Sequence, residues 1–219
     1  ARRPGETRAC PPVATQATPR PGTYAVAIPS GALSEALLAL PLPFADDGAR
    51  AAATWLAAAL DGADGLLAQA LGGGGSPDAA LAHGWSAAVI GAPRSPALVI
   101  RVVATDASLD GAVAQTRALL DRVRQGAIHD ADRSRAAASL GRDALTLSLD
   151  PRMRTLALWR GEFPTPSPSL DALHAFAAAA LQDDALVIVA ARPPRLDSSG
   201  RPFSSRERES SPRTPKSPR

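Results

Sequence analysis

The chain has one cysteine, one methionine, one tyrosine and three histidines in 219 residues, and aromatic side chains make up 4% of it. A lone Cys10 forms no internal disulfide, so nothing staples the fold and the redox compartment stays open. No run of 18 apolar residues occurs, which excludes a membrane-spanning helix. Glutamate is scarce too: residues 23–191 contain only Glu35 and Glu162. Zinc hydrolysis needs two imidazoles and a carboxylate as ligands, plus a base near the bound water. His83, His129 and His174 are scattered, with no second His or Cys at i+3 or i+4, so no metal set is spelled out. Nucleophile motifs are missing as well, since there is no Gly-x-Ser-x-Gly and Cys10 lies in a Pro-rich lead.

What is present is mostly alanine and leucine. Apolar residues reach 45%, enough for the core of one domain, though a finely grained one. The net charge of +3 conceals a division along the chain. Residues 192–219 hold eight Lys/Arg against three Asp/Glu, and residues 1–22 hold four against one. The middle, with 12 basic and 17 acidic residues, is therefore net −5. An acidic centre without a basic stripe argues against a nucleic-acid-binding domain. Both ends, rich in Pro, Ser and Arg, lack apolar periodicity and are expected to be unstructured, over 1–21 and 194–219. A basic tail of this kind can touch RNA or an anionic surface, but a solvated terminus is the ordinary reading. The chain starts at Ala1 without a methionine, as it would if an N-terminal signal or a larger upstream portion were missing.

Between the ends, "TYAVAIP" (23–29) and "SEALLALPLP" (34–43) read as strands, and "PSGAL" between them suggests a hairpin. Asp46 and Asp47 offer an N-cap to "GARAAATWLAAAL", whose Ala52, Trp55, Leu56 and Leu60 share one helical face. A shorter helix, "ADGLLAQAL", stops at Gly72–Gly75. A second hairpin comes next, "LAHGWSAAVIG" and "PALVIRVVAT" joined by "APRS". Asp106 or Ser108 is placed to cap a helix with the stripe Leu109, Val113, Leu119, Leu120 and Val123, ending at Gly126. Asp130 opens the next helix, Pro151 another, "SPSLDALHAFAAAAL" a further one, and "ALVIVAAR" (185–192) closes the chain as a buried strand. Paired strands with helices between them predict an α+β domain over 22–193: a mostly antiparallel sheet with helices packed on one face. No repeat of 20–50 residues is visible.

Other features have plain structural explanations. The glycines at 72–75 follow a helix, precede a strand and lack the Lys of a phosphate loop, so they read as a connector. Asp46/Asp47 and Asp183/Asp184 sit at element starts, where capping accounts for them. Trp55, Trp85 and Trp159 read as core or interface anchors. Arg117, Arg122, Arg124, Arg133 and Arg135 are interspersed with Asp121, Asp130 and Asp132, as on two solvated helix faces.

Taken together, "LALPLPFADDGARAAATWLAAALDGADGLLAQAL", "LAHGWSAAVIGAPRSPALVIRVVATDASLDGAVAQTRALLDRV", "GAIHDADRSRAAASLGRDALTLSLDPRMRTLALWRGEFP" and "LDALHAFAAAALQDDALVIVAARP" resemble one half-domain of the pitrilysin/insulinase/processing-peptidase family of zinc metallopeptidases. The resemblance covers about residues 22–193 and rests on layout and apolar pattern. It implies a clamshell of two homologous halves, one carrying an inverted His-x-x-Glu-His motif and the other walling the chamber without metal. The helix expected to hold that motif reads "ARAAATWLAAAL", without His or Glu, so the chain resembles the non-catalytic half. Where non-catalytic halves carry a substrate-gripping Arg and Tyr, this chain has Gly65 and His83. The resemblance thus implies no catalytic residue and no cofactor in this chain, zinc in a homologous partner half or subunit, a peptide substrate, and His83 and Trp85 as substrate contacts. The alternative is a degenerate scaffold or protein-interaction domain without a role in proteolysis. Whether the compartment is cytoplasm or periplasm stays open.

Overall fold

The computed structural model describes residues 20–28, 33–43, 46–73, 79–92, 95–160 and 166–194. The lead and the basic tail lie outside the described residues apart from 20, 21 and 194. In chain order the elements are β1 (Gly22–Ala27), β2 (Ser34–Pro41), α1 (Asp47–Leu60), α2 (Leu66–Leu71), β3 (Gly84–Ala92), β4 (Ser95–Ala104), α3 (Leu109–Arg124), α4 (Asp130–Leu149), α5 (Pro151–Arg160), α6 (Leu170–Ala180) and β5 (Val187–Arg192), with one 3-10 turn at Asp183–Ala185. This is the α+β order expected, and the sheet is mostly antiparallel: β2–β4, β2–β5 and β3–β4 run antiparallel, and only β1–β5 is parallel.

The strand order, β1-β5-β2-β4-β3, corrects one expectation. β1 and β2 do not pair as a hairpin; β5 lies between them, and the turn expected at 29–32 falls outside the described residues. The reason lies in the strands' surfaces. β5 begins Val-Ile-Val-Ala-Ala, with Val187 and Ile188 buried, and its inner place pairs its backbone N–H and C=O groups on both edges. All six residues of β1 are exposed, as suits an edge strand. The second hairpin forms as expected, its ladder running from Gly84↔Val103 to Ala92↔Ser95.

Alternation along each strand sends one side chain in two beneath the helices. Ala36, Leu38 and Leu40 from β2, Leu98, Ile100, Val102 and Ala104 from β4, and Ile188 from β5 make that inner face. α1 is the helix most enclosed, touching β3, α2, α4 and α6. Its small residues explain how: Ala51, Ala52, Ala53, Ala57 and Ala59 are buried alongside Trp55, Leu56 and Leu60, so neighbouring backbones approach closely. Asp46 caps it, accepting the Ala49 N–H at 2.8 Å. Ser169 caps α6 through the Ala172 N–H at 3.2 Å. At α4 the cap is His129, one residue before the expected Asp130; the Asp132 carboxylate reaches back to accept the His129 N–H at 2.8 Å. Ser108 holds the N-cap position of α3 without a side-chain cap bond. Asp106 is instead recruited by Arg192, whose Nη1 donates at 2.8 Å, and by the buried Ser34 hydroxyl at 3.3 Å. This cluster, with Asp110 also accepting from Arg192, ties the end of β5 to the β4–α3 turn.

The opposite face of the sheet carries no helix among the described residues. It presents Tyr24, Val26, Leu37 and Ile90, from 36% to 52% exposed, together with Val99, Val103 and Val189. One ion pair interrupts this apolar surface: Arg101 donates from Nε to Glu35 Oε1 at 2.8 Å and from Nη2 to Oε2 at 2.7 Å. The hydrogen bonds and charge of Arg101 hold the Glu35 carboxyl below its ordinary range and raise the guanidinium in turn.

The junction between α1 and α2 is fixed by Gly65, which is buried. A Cβ there would lie 2.0 Å from the Asp61 carbonyl oxygen and 2.6 Å from that of Leu60, both backbone atoms. After α2 the chain reverses at Gly73, at φ +67, where a Cβ would meet the Ala80 nitrogen at 2.5 Å. Leu81 N–H then donates to the Leu71 carbonyl at 2.9 Å, closing the connector.

The turn at Gly65 and the Glu35–Arg101 pair can each be tested by substitution. Gly65→Ala should lower stability by about 2–3 kcal/mol, because the clashing atoms are backbone and the turn must open; a urea melt within experimental error of wild type would contradict the close approach. Glu35→Gln should cost under about 1 kcal/mol at neutral pH, since both partners are partly exposed and the pair is screened. A carboxyl with a lowered folded pKa stabilises fully above its ordinary value, about 4.3, and loses that contribution as acid carries the pH down through the lowered one. The difference between Glu35→Gln and wild type in urea melts should therefore shrink below about pH 4, and a difference that grows there would refute the assignment.

Candidate functional site

β3 is the edge strand farthest from β1, and it is where the sheet meets α1 and α2. Alternation places Trp85 and Ala87 on the helix side. The Trp85 indole N–H donates to the Gly62 carbonyl at 3.3 Å. At the far end of the ring, Cη2 lies 3.5 Å from where a Cβ on Gly72 would stand. The half-buried indole therefore runs along the flank of α2, from the turn before it to the glycine after it, and glycine at 72 leaves it room. The Asp61 carboxylate accepts the Ala87 N–H at 3.2 Å, so a backbone donor on the open edge of β3 is satisfied by the α1–α2 turn.

An open groove of about 550 Å³ runs along this edge, lined by Asp64, Gln69, Gly72, Trp85 and Arg135 together with two alanines. Gln69 is positioned by its own amide, which donates to the Asp64 carbonyl at 3.4 Å. Arg135 is held by Asp132, a buried carboxylate that also closes the start of α4. Asp64 has no cationic partner among the described residues. The volume is in the range of small-ligand and side-chain sites, and the wall combines an aromatic face with a few polar groups.

Of the two expected contact residues, Trp85 lines this groove and His83 does not. His83 is exposed at the start of β3, its backbone N–H donating to the Val103 carbonyl at 2.8 Å. Its imidazole has no hydrogen-bond partner among the described residues. Gly65, which the resemblance sets where non-catalytic halves carry an Arg, has the space of a Cβ filled by carbonyl oxygens. His129 sits at the cap of α4, and His174 on α6 bonds through Nε2 to the Ile128 carbonyl at 2.8 Å. Among the described residues no group of three or more His, Cys, Asp or Glu is placed to hold a metal ion. Nor is any helix among them long and apolar enough to cross a membrane.

Other residues singled out from the sequence have structural partners. Glu35 is taken up by Arg101. Arg117 pairs with Asp183, Arg124 with Asp121, Arg133 with Asp130 and Arg135 with Asp132, so four of the five clustered arginines are matched by carboxylates. Trp55 is buried in the core with its indole N–H unpartnered. The Trp159 side chain and Glu162 lie outside the described residues. Asp64 and Gln69 went unmarked in the sequence and Arg135 read as part of a solvated helix face, because the three stand up to 71 positions apart and form no motif; only folding brings them to Trp85.

No family model and no curated protein sequence matches the chain. Solved structures do. A protease from Helicobacter pylori matches at TM-score 0.61 and 15% identity over 78% of this chain and 44% of that one. The inactive domain of a peptidase M16 from Pseudomonas fluorescens matches at TM-score 0.60 and 16% identity, over 82% of this chain and 45% of that one. The inactive peptidase domain of a Bordetella parapertussis protein matches at 0.62 and 17%, over 75% and 94%. This chain thus spans less than half the length of the first two and nearly all of the third. At such identities the likeness is one of fold, and it agrees with the layout that pointed to pitrilysin-type peptidases: the chain has the fold of an M16-like peptidase domain, with inactive domains of such peptidases among its structural neighbours.

Proposed function

We propose that the chain is a non-catalytic peptidase-type domain that walls a peptide-binding chamber and supports a homologous, zinc-bearing half or subunit in proteolysis. The observation that carries this reading is α1. It is the helix to which the family resemblance assigns the zinc motif, and here Ala51, Ala52, Ala53, Trp55 and Leu56 commit it to the core. The helix-free, apolar face of the sheet suits a wall against which extended peptide or a partner packs. Trp85, with His83 two residues before it at the mouth of β3, is the proposed substrate contact, and residues 22–193 form the functional unit. Zinc and the hydrolytic base belong to the partner.

A second reading, a scaffold without a role in proteolysis, is favoured by Gly65. The place of the family's gripping Arg is occupied by backbone, so that contact is not merely shortened but sterically closed.

Mixing the purified chain with a homologous subunit that contains His-x-x-Glu-His distinguishes the two. Chelator-sensitive cleavage of a mixed fluorogenic peptide pool should appear in the mixture and not with this chain alone. Within the mixture, Trp85→Ala should lower kcat/KM by roughly ten-fold, the scale of an aromatic contact. Far-UV circular dichroism and the melting midpoint check that the variant is folded. Turnover that is the same with this chain omitted would leave the scaffold reading standing. Chelator-sensitive turnover by the lone chain would refute both.

A further inference from the structure

The groove beside Trp85 has a sign as well as a shape. α1, a helix of 14 residues, ends at its rim, and its last turn holds no basic residue. The carbonyl end of such a helix carries roughly half a negative charge. The cap residue is Asp61, and Asp64 comes next on the wall of the groove itself. Asp61 is occupied by the Ala87 N–H, whereas Asp64 is exposed and has no cationic partner among the described residues. The cation that lines the groove, Arg135, is matched by the buried Asp132 and leaves little net positive charge there. An unmatched carboxylate and an indole thus border one open space, a few residues beyond the C-terminus of α1. Both attract a cation, and the indole favours an organic one over a hydrated metal ion. No three metal-ligating side chains converge among the described residues.

We infer that this groove binds a single arginine or lysine side chain of an extended peptide, its cationic head over Trp85 with Asp64 as counter-ion. The inference rests on the peptide-contact role proposed for Trp85 and specifies the class of residue it takes. Gln69, at the same wall, can accept a hydrogen bond from the bound guanidinium or ammonium.

The test uses the full chain alone, labelled with nitrogen-15, and tracks its indole N–H signals at low salt. The Trp85 signal is identified as the one missing from Trp85→Phe. The probes are acetyl-Ala-Ala-Arg-Ala-Ala-amide and its citrulline counterpart, which keeps the shape and lacks the charge. The arginine peptide should shift the Trp85 signal and bind about five-fold more tightly than the citrulline peptide. Asp64→Asn, a change at an exposed position that leaves the fold intact, should bring that ratio close to one. Equal shifts by the two peptides, no shift by either, or a ratio unchanged in Asp64→Asn would overturn the inference. So would magnesium chloride moving the signal as the arginine peptide does. Because no partner subunit enters this measurement, its failure is separate from failure of the partner assay.

Discussion

Everything in this domain depends on where β5 inserts. The last described strand takes the place between the first two, parallel to β1 and antiparallel to β2, so the sheet is complete only when the two ends of the domain meet. Its backbone is paired on both edges, and Arg192 at its end reaches Asp106 in the turn leading into α3 and Asp110 in the first turn of that helix. Through Asp106 the same cluster reaches the buried Ser34 at the start of β2. Three strands and one helix are thereby registered at one end of the sheet. Long-range pairing of this kind is slow to form because loop closure precedes any gain from it, and it makes the domain one cooperative unit.

The second constraint is closeness. With so few aromatics the core gains its density from alanine, and α1 shows the consequence: five alanines on its buried surface let strands, α4 and α6 approach a single helix. That choice bears on function. A helix committed to close packing on several sides has no room for two imidazoles and a glutamate aimed at a metal, and the chemistry-bearing groups of the domain are displaced to its rim. The α1–α2 turn shows the same closeness, where glycine at 65 lets the turn fold onto its own carbonyls and brings Asp61 and Gly62 against β3.

The groove beside Trp85 is a product of that turn. Gly62 receives the indole N–H, and Gly72 makes room for the far edge of the ring. The apolar, helix-free face of the sheet, broken by Glu35 and Arg101, is a separate surface, divided from the groove by the edge of β3. A domain so arranged has one face suited to an extensive apolar contact and one edge suited to a single side chain.

Much of this was legible in the sequence. Sequence pattern located the six described helices and the five described strands, because most of them bury a face whose spacing is set by the geometry of its own backbone. Asp46 announced its cap, Pro151 its helix start, and "APRS" its hairpin, all interactions within a few residues. The absence of His and Glu from "ARAAATWLAAAL" excluded the zinc motif from that helix on composition alone. What the sequence left undecided are relations between distant segments. The parallel pairing of β1 with β5 displaced the hairpin that proximity suggested, and Asp106 was drawn from a cap to an arginine 86 positions away. His83 and Trp85, neighbours in sequence, parted company, one into solvent and one into a groove with Asp64 and Arg135. Local patterns record which face of each element is buried; which elements meet, and hence which side chains share a site, is settled by packing that no window along the chain contains.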